Sequence, residues 1–252
     1  MNEILNMAEL TFLVIASFCT SVLSGMIGLA GGSILMVLVL TVMPPAQAIP
    51  FHGVVQLVAT SSRVVLFRGE TAWALVGRYA VLLIPGVAVG MLLFRGLPKE
   101  LVTIAIGSFV LGALLLRGLR AFGGRDTPLW FFYPFGFIVG GLSIIVGGVG
   151  VLFGPFVIRK GLNKEGVVGT QSTLAAVTHL AKVTAFGLTG FLFSDYWLHF
   201  ALVLPSVVLG TIVGRKLLGK FNERVFIWLY QTALVFLSLK LVFWDGLARW
   251  LG

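Results

Sequence analysis

Apolar residues run almost unbroken through eight stretches of the chain, about 10–43, 47–67, 72–94, 101–116, 129–158, 166–193, 196–214 and 225–244. Most are close to the ~17–25 residues that a helix needs to cross a bilayer. The pattern predicts membrane-embedded helices nearly throughout, with the longest polar link, "RGLRAFGGRDTP" (117–128), at the middle. Two of the stretches, 10–43 and 129–158, are longer than one crossing and hold clusters of glycine: Gly28, Gly31 and Gly32 in the first, Gly147, Gly148 and Gly150 in the second. An apolar run interrupted by helix breakers predicts two helical arms meeting in a hairpin. Backbone that leaves the helix at such depth must be satisfied by protein or by a watery cavity.

Composition supports this class. Of 252 residues, 58% are hydrophobic, against the ~45–50% of a soluble domain. The links are too short for a soluble catalytic domain, so no enzyme is expected. "MNEILNMAEL" has acidic Glu3 and Glu9 where a cleavable signal would be basic, and the N-terminus is expected to remain. The single cysteine, Cys19, excludes disulfide and cysteine–metal chemistry and is expected to be a small buried hydrophobe. The net charge of +9 is spread over short loops and forms no basic arm, which argues against nucleic acid.

The two sides of the central link resemble each other. "LLIPGVAVGMLLFR" (82–95) aligns with "LVLPSVVLGTIVGR" (202–215), setting Pro85, Gly90 and Arg95 against Pro205, Gly210 and Arg215 at an offset of 120. "GLAGGSILMVLVL" (28–40) aligns with "VGGVGVLFGPFVI" (146–158), and "GLPKELV" (96–102) with "KFNERVF" (220–226). The chain reads as a duplication, 1–117 and 129–252, joined by a linker at 118–128.

Loop charge bears on how the copies lie. With eight single crossings, nine basic residues fall on one side and seven on the other. If the two long runs instead return to the side they entered, Arg68, Arg78, Arg117, Arg120, Arg125, Arg159, Lys160, Lys164, Arg215, Lys216, Lys220 and Arg224 share one side. Only Arg95, Lys99, Lys240 and Arg249 remain opposite. Cytoplasmic loops collect Lys and Arg. The expected fold is therefore an all-α integral membrane protein of two inverted repeats, each a glycine-broken hairpin plus three transmembrane helices. The linker would be cytoplasmic and both termini non-cytoplasmic.

The helix after each hairpin carries a polar stripe. In 50–67 it comprises His52, Gln56, Thr60 or Ala59, and Arg63; in 167–186 it comprises Gln171, Ala175, Thr178 or His179, and Lys182, with Ser172 and Thr173 beside it. A cation within a span needs a partner or a water-filled path, and no carboxylate lies near Arg63 or Lys182 in sequence. An anionic substrate fills that role, with Gln56, Thr60, Gln171, Ser172 and Thr178 as hydrogen-bonding ligands. Snorkelling is the alternative for Arg63 and the expectation for Arg78. His52 and His179 are candidates for a proton relay or for structural hydrogen bonds; two histidines without carboxylates make no metal site. "GVAVG" (86–90), "GFIVG" (136–140) and "GTIVG" (210–214) are expected to be helix-packing seams. The denser glycines at the breaks are candidates to line a ligand site.

The chain resembles the TauE/SafE sulfite exporter family. The resemblance is carried by "SGMIGLAGGSILMVLVLTVMPPAQAI", its second-half copy "SIIVGGVGVLFGPFVIRKGLNKEGVVGTQS", and the two PxxxxG helices. It implies a duplicated permease that moves sulfite, organosulfonates or related small anions without a cofactor. The implied mechanism is alternating access in the cytoplasmic membrane, with lipid and the anion as partners and a homo-oligomer left open. A passive anion channel and a non-transporting membrane scaffold are the rival readings.

Overall fold

The computed structural model describes residues 6–27, 31–118, 127–157, 162–217, 232 and 235–251, and these contain helices and turns but no strand. The first half holds α1 (Met7–Ile27), α2 (Gly31–Val39), α3 (Pro45–Phe67), α4 (Trp73–Gly96) and α5 (Lys99–Gly118). The second holds α6 (Phe132–Ile145), α7 (Phe153–Val157), α8 (Lys164–Leu188) and α9 (Trp197–Leu217). A π-helical segment, Lys240–Leu247, then runs into α10 (Ala248–Leu251). Gly28, most of the central linker and "KFNERVF" lie outside the described residues.

Both long apolar runs break at their glycines. α1 stops at Ile27 and α2 begins at Gly31, while α6 stops at Ile145 and α7 begins at Phe153. The return arms are short: the 9 residues of α2 and the 5 of α7 extend about 14 and 8 Å at 1.5 Å per residue. The described part of each arm is shorter than the ~30 Å hydrocarbon core.

Among the described residues three spans are long and apolar enough to cross a membrane: Met7–Gly25, Trp73–Gly96 and Phe193–Leu217. The helices α3 and α8 are as long, at 23 and 25 residues, but their polar stripes lower their hydropathy. They sit at the centre against each other, and the apolar spans surround them.

Helix directions follow from the contacts. Ser206 Oγ donates to Val14 O, Gly210 lies on the Phe18 carbonyl and Gly214 on that of Val22, so α1 and α9 run parallel. Gly136 faces the Tyr79 carbonyl, Gly140 that of Leu83, and Gly90 lies on Gly141, so α4 and α6 also run parallel. These seams use the three expected GxxxG patterns, and a Cβ at Gly86, Gly136 or Gly214 would collide with opposing backbone. The central pair is antiparallel: Gly53 lies beside Lys182, and Arg63 beside Ser172. The α5 helix meets the π-helical segment antiparallel, with Gly107 near Ser238 and Val242 and Gly246 near Ile104.

These directions bring Arg68, at the end of α3, together with the start of α8 and the end of α9. Asn163 caps α8 by accepting from Gly166 N at 2.7 Å and donates to Glu70 at 3.3 Å, and the Arg215 guanidinium lies 5.6 Å from the Phe67 ring centroid. Arg95, Lys99 and Arg249 lie at the opposite end, as does the start of α1. The end of α5 and the start of α6 share the Arg68 end.

Large apolar side chains such as Ile15, Ile84, Leu92, Leu209 and Ile212 are exposed on the periphery, as suits a lipid-facing surface. Cys19 belongs to that surface. It is free and exposed, which corrects the expectation of burial. The outer face of a membrane helix is solvated by hydrocarbon, so an apolar residue there has no need of the protein core.

Candidate functional site

The start of α2 meets the second break between α3 and α8. Ser33 Oγ, in the first turn of α2, donates to Gly148 O at 3.0 Å, tying the two breaks together. Gly147 adopts φ +76°, a left-handed conformation suited to a helix C-terminus because glycine has no Cβ to clash. Its N–H donates to Ser143 O at 3.2 Å, and a Cβ on it would strike Met36 of the other half.

Beside this contact lies a cavity of about 30 Å³, lined by Ser24 of α1, Gly32 of α2, His52, Gln56, Thr60 and Arg63 of α3, Gly148, Gly150 and Phe153 at the second break, and Gln171, Ser172, Ala175 and His179 of α8. The two polar stripes thus face one space. Arg63 is 5% exposed, its Nε donates to Ser172 Oγ at 3.3 Å, and its Nη1 has no protein partner among the described residues. Gln171 Nε2 is likewise buried without a partner. The ion pairs found among the described residues, Lys99–Glu100, Lys240–Asp245 and Arg249–Asp245, leave Arg63 and Lys182 without a carboxylate. Arg63 is therefore turned into the protein, away from the surface that snorkelling would seek. Arg78, by contrast, bonds its own helix at Ala74 O.

His52 donates from Nε2 to Gly32 O at 2.8 Å, because a carbonyl can only accept; its Nδ1 is left without a partner. The His52 and His179 rings lie 5.8 Å apart, edge to face.

Three of the sequence-identified residues are committed elsewhere. Lys182 is fully buried, and its Nζ donates to Gly147 O at 2.9 Å, at the broken end of α6. Thr178 shares a 2.6 Å hydrogen bond with Tyr79 of α4 and donates to Leu174 O. Gly31 packs on the Thr20 carbonyl within its own hairpin. Gly32, Gly148 and Gly150 line the cavity, and Gly147 shapes the turn beside it. Sequence reasoning missed Ser24 and Phe153. A serine one turn before the first glycine cluster was the available signal for Ser24. Among the described residues no group of His, Cys, Asp or Glu could hold a metal.

The chain is a helical membrane protein with a buried, cation-bearing cavity beside its helix breaks. The sulfite exporter TauE/SafE family model matches residues 13–241, and the chain belongs to that family. No curated protein and no solved structure matches it.

Proposed function

We propose that the chain is a secondary transporter that carries a small anion, sulfite, an organosulfonate or a related sulfur-containing species, across the cytoplasmic membrane by alternating access. The observation that carries this reading is Arg63: a buried guanidinium that faces a cavity with Nη1 free and, among the described residues, no carboxylate. Isolated charge in a low-dielectric interior is costly, and an oxyanion neutralises it while accepting charge-assisted hydrogen bonds. Gln56, Gln171, Ser172 and Thr60 supply further polar contacts. The cavity is small, with room for a water or two, so a bound oxyanion requires the walls to part slightly.

The parallel α1–α9 and α4–α6 seams and the antiparallel α3–α8 pair support two inverted repeats related by an axis through the cavity. In that arrangement each glycine hairpin is one wall of the site. Pro85 and Pro205, which remove an N–H inside α4 and α9, are the natural bending points. The Ser33–Gly148 contact joins the walls and must open in each cycle. His52 and His179 stand where a proton could accompany the anion.

Binding of sulfite, sulfate, thiosulfate, sulfonates and short carboxylates to the purified protein, read as a rise in thermal stability, tests the site. Saturable uptake with counterflow in proteoliposomes separates a transporter from a channel. A folded protein that no anion stabilises would be a scaffold. Cysteine labelling at residues 2, 124 and 252 should find the termini on the non-cytoplasmic face and the linker inside; termini on opposite faces would overturn the inverted repeat.

A further inference from the structure

We infer that the cavity selects singly charged anions over doubly charged ones, because only one of the two central cations is directed at it. This rests on the anion-transport reading above. Arg63 lines the cavity and keeps Nη1 free. Lys182 occupies the matching place in the second half but donates to Gly147 O at 2.9 Å. There it sits at the C-terminal end of α6, where the helix dipole places about half a negative charge. Its charge is matched by scaffold, so Lys182 is a positioning residue that holds the second break.

The other groups facing the cavity add no fixed charge. On α3, His52 donates from Nε2 to Gly32 O and leaves Nδ1 unpartnered, and Gln56 and Thr60 are uncharged. On α8, His179 also has an unpartnered Nδ1, and Gln171 and Ser172 are uncharged. The lining residues from α1, α2 and the second break, Ser24, Gly32, Gly148, Gly150 and Phe153, carry no ionisable group. The phenol of Tyr79 on α4 is taken by Thr178. One guanidinium thus faces the ligand, and a second negative charge on that ligand would find no second cation turned toward it, the Lys182 ammonium being held at Gly147 O.

Methanesulfonate and sulfate share a tetrahedral head and differ by one charge. Calorimetry on the full-length protein in lipid nanodiscs should give methanesulfonate an affinity at least about tenfold above that of sulfate. Inorganic sulfite supplies the second arm, since it passes from a monoanion to a dianion near neutral pH. Its apparent affinity should fall as pH rises through that ionisation while that of methanesulfonate stays flat, which separates ligand charge from titration of the histidines. Lys182→Gln, which keeps a neutral donor on a shorter arm near Gly147 O, should keep methanesulfonate affinity within about threefold, whereas Arg63→Gln should lose at least about tenfold. Equal or tighter sulfate binding, sulfite affinity that rises with pH, or an equal loss in both variants would overturn the inference and leave anion transport standing. Absence of binding by every anion would overturn the transport reading as well. If Lys182→Gln does not fold, the wild-type comparison of methanesulfonate with sulfate still decides.

Discussion

The α3 and α8 helices run antiparallel across the centre and each end their polar stripe in a cation, yet the cations face different things. Arg63 reaches past Ser172 into the cavity. Lys182 reaches the broken end of α6. Side-chain shape accounts for the division. A guanidinium has five donors in a plane and can hold a hydroxyl on one edge while offering the other to an oxyanion; an ammonium is a compact point charge suited to a carbonyl-rich helix end. Two helices with similar polar stripes can thus divide their chemistry, one cation serving the cavity and the other a helix end.

The likeness of the two helix seams should show most strongly at their glycines. A Cβ at Gly86 meets the Phe137 carbonyl, and one at Gly214 meets that of Val22. Gly86→Ala and Gly214→Ala should each cost about 3 kcal/mol, since backbone cannot step aside as a side chain does. Gly77, in α4 with open space around it, is the control: Gly77→Ala should be neutral or stabilise by up to about 1 kcal/mol. Thermal unfolding in detergent checks all three. A large cost in only one seam would mean that the halves are held together by different means.

The difference between halves should show next, in ligand binding. Arg63→Gln removes a charge-assisted interaction of about 1.5–3 kcal/mol and should weaken anion binding ten- to a hundredfold. Lys182→Met should instead act on stability, because it leaves Gly147 O buried without its donor, at about 1–3 kcal/mol. Calorimetry and unfolding on the same preparations separate the two. An inverted outcome, with Lys182→Met losing affinity and Arg63→Gln losing only stability, would reverse the assignment of roles.

What the sequence made legible follows the same line. Membrane class, helix breaks and packing seams depend on local composition and spacing, and they could be read directly. The polar stripes were legible too, because a 3.6-residue period places His52, Gln56, Thr60 and Arg63 on one face. Orientation within the shared core was not legible. Gly31 and Gly32 are neighbours in a glycine cluster, yet one packs on the Thr20 carbonyl and the other lines the cavity; only the course of α1 past them decides which. Lys182 looked like a ligand for the same reason that Arg63 did, and its acceptor, Gly147 O, lies 35 residues away along the chain. Ser24 entered the site because the hairpin folds α1 back toward α3, an effect of tertiary structure that leaves no periodic mark.

The breaks themselves differ in how much each glycine matters. Gly147→Ala forces a Cβ into φ +76° and against Met36, and should cost about 1–3 kcal/mol. At Gly32 a Cβ would meet the Gln56 side-chain amide at 3.1 Å, and that side chain can turn. Gly32→Ala should therefore leave stability within about 1 kcal/mol and show its effect in anion affinity, through the displaced Gln56. Equal destabilisation at both positions would mean that the first break is as tightly built as the second.

The smallest expected effect lies at a pair of positions related by the 120-residue offset, Tyr79 and His199. Tyr79 bonds Thr178 across the α4–α8 contact, whereas both ring nitrogens of His199 are buried without a partner among the described residues. Thr178 keeps its bond to Leu174 O when the phenol is removed, so Tyr79→Phe should cost only about 1 kcal/mol. His199→Phe removes two unsatisfied polar atoms and should be neutral or stabilising by a similar amount. The same aromatic substitution is thus expected to act with opposite sign in the two halves, because one half satisfies its polar group and the other does not. If His199→Phe instead destabilised the protein by more than Tyr79→Phe, the His199 ring would have a partner such as a bound water, and the asymmetry at these two positions would be lost.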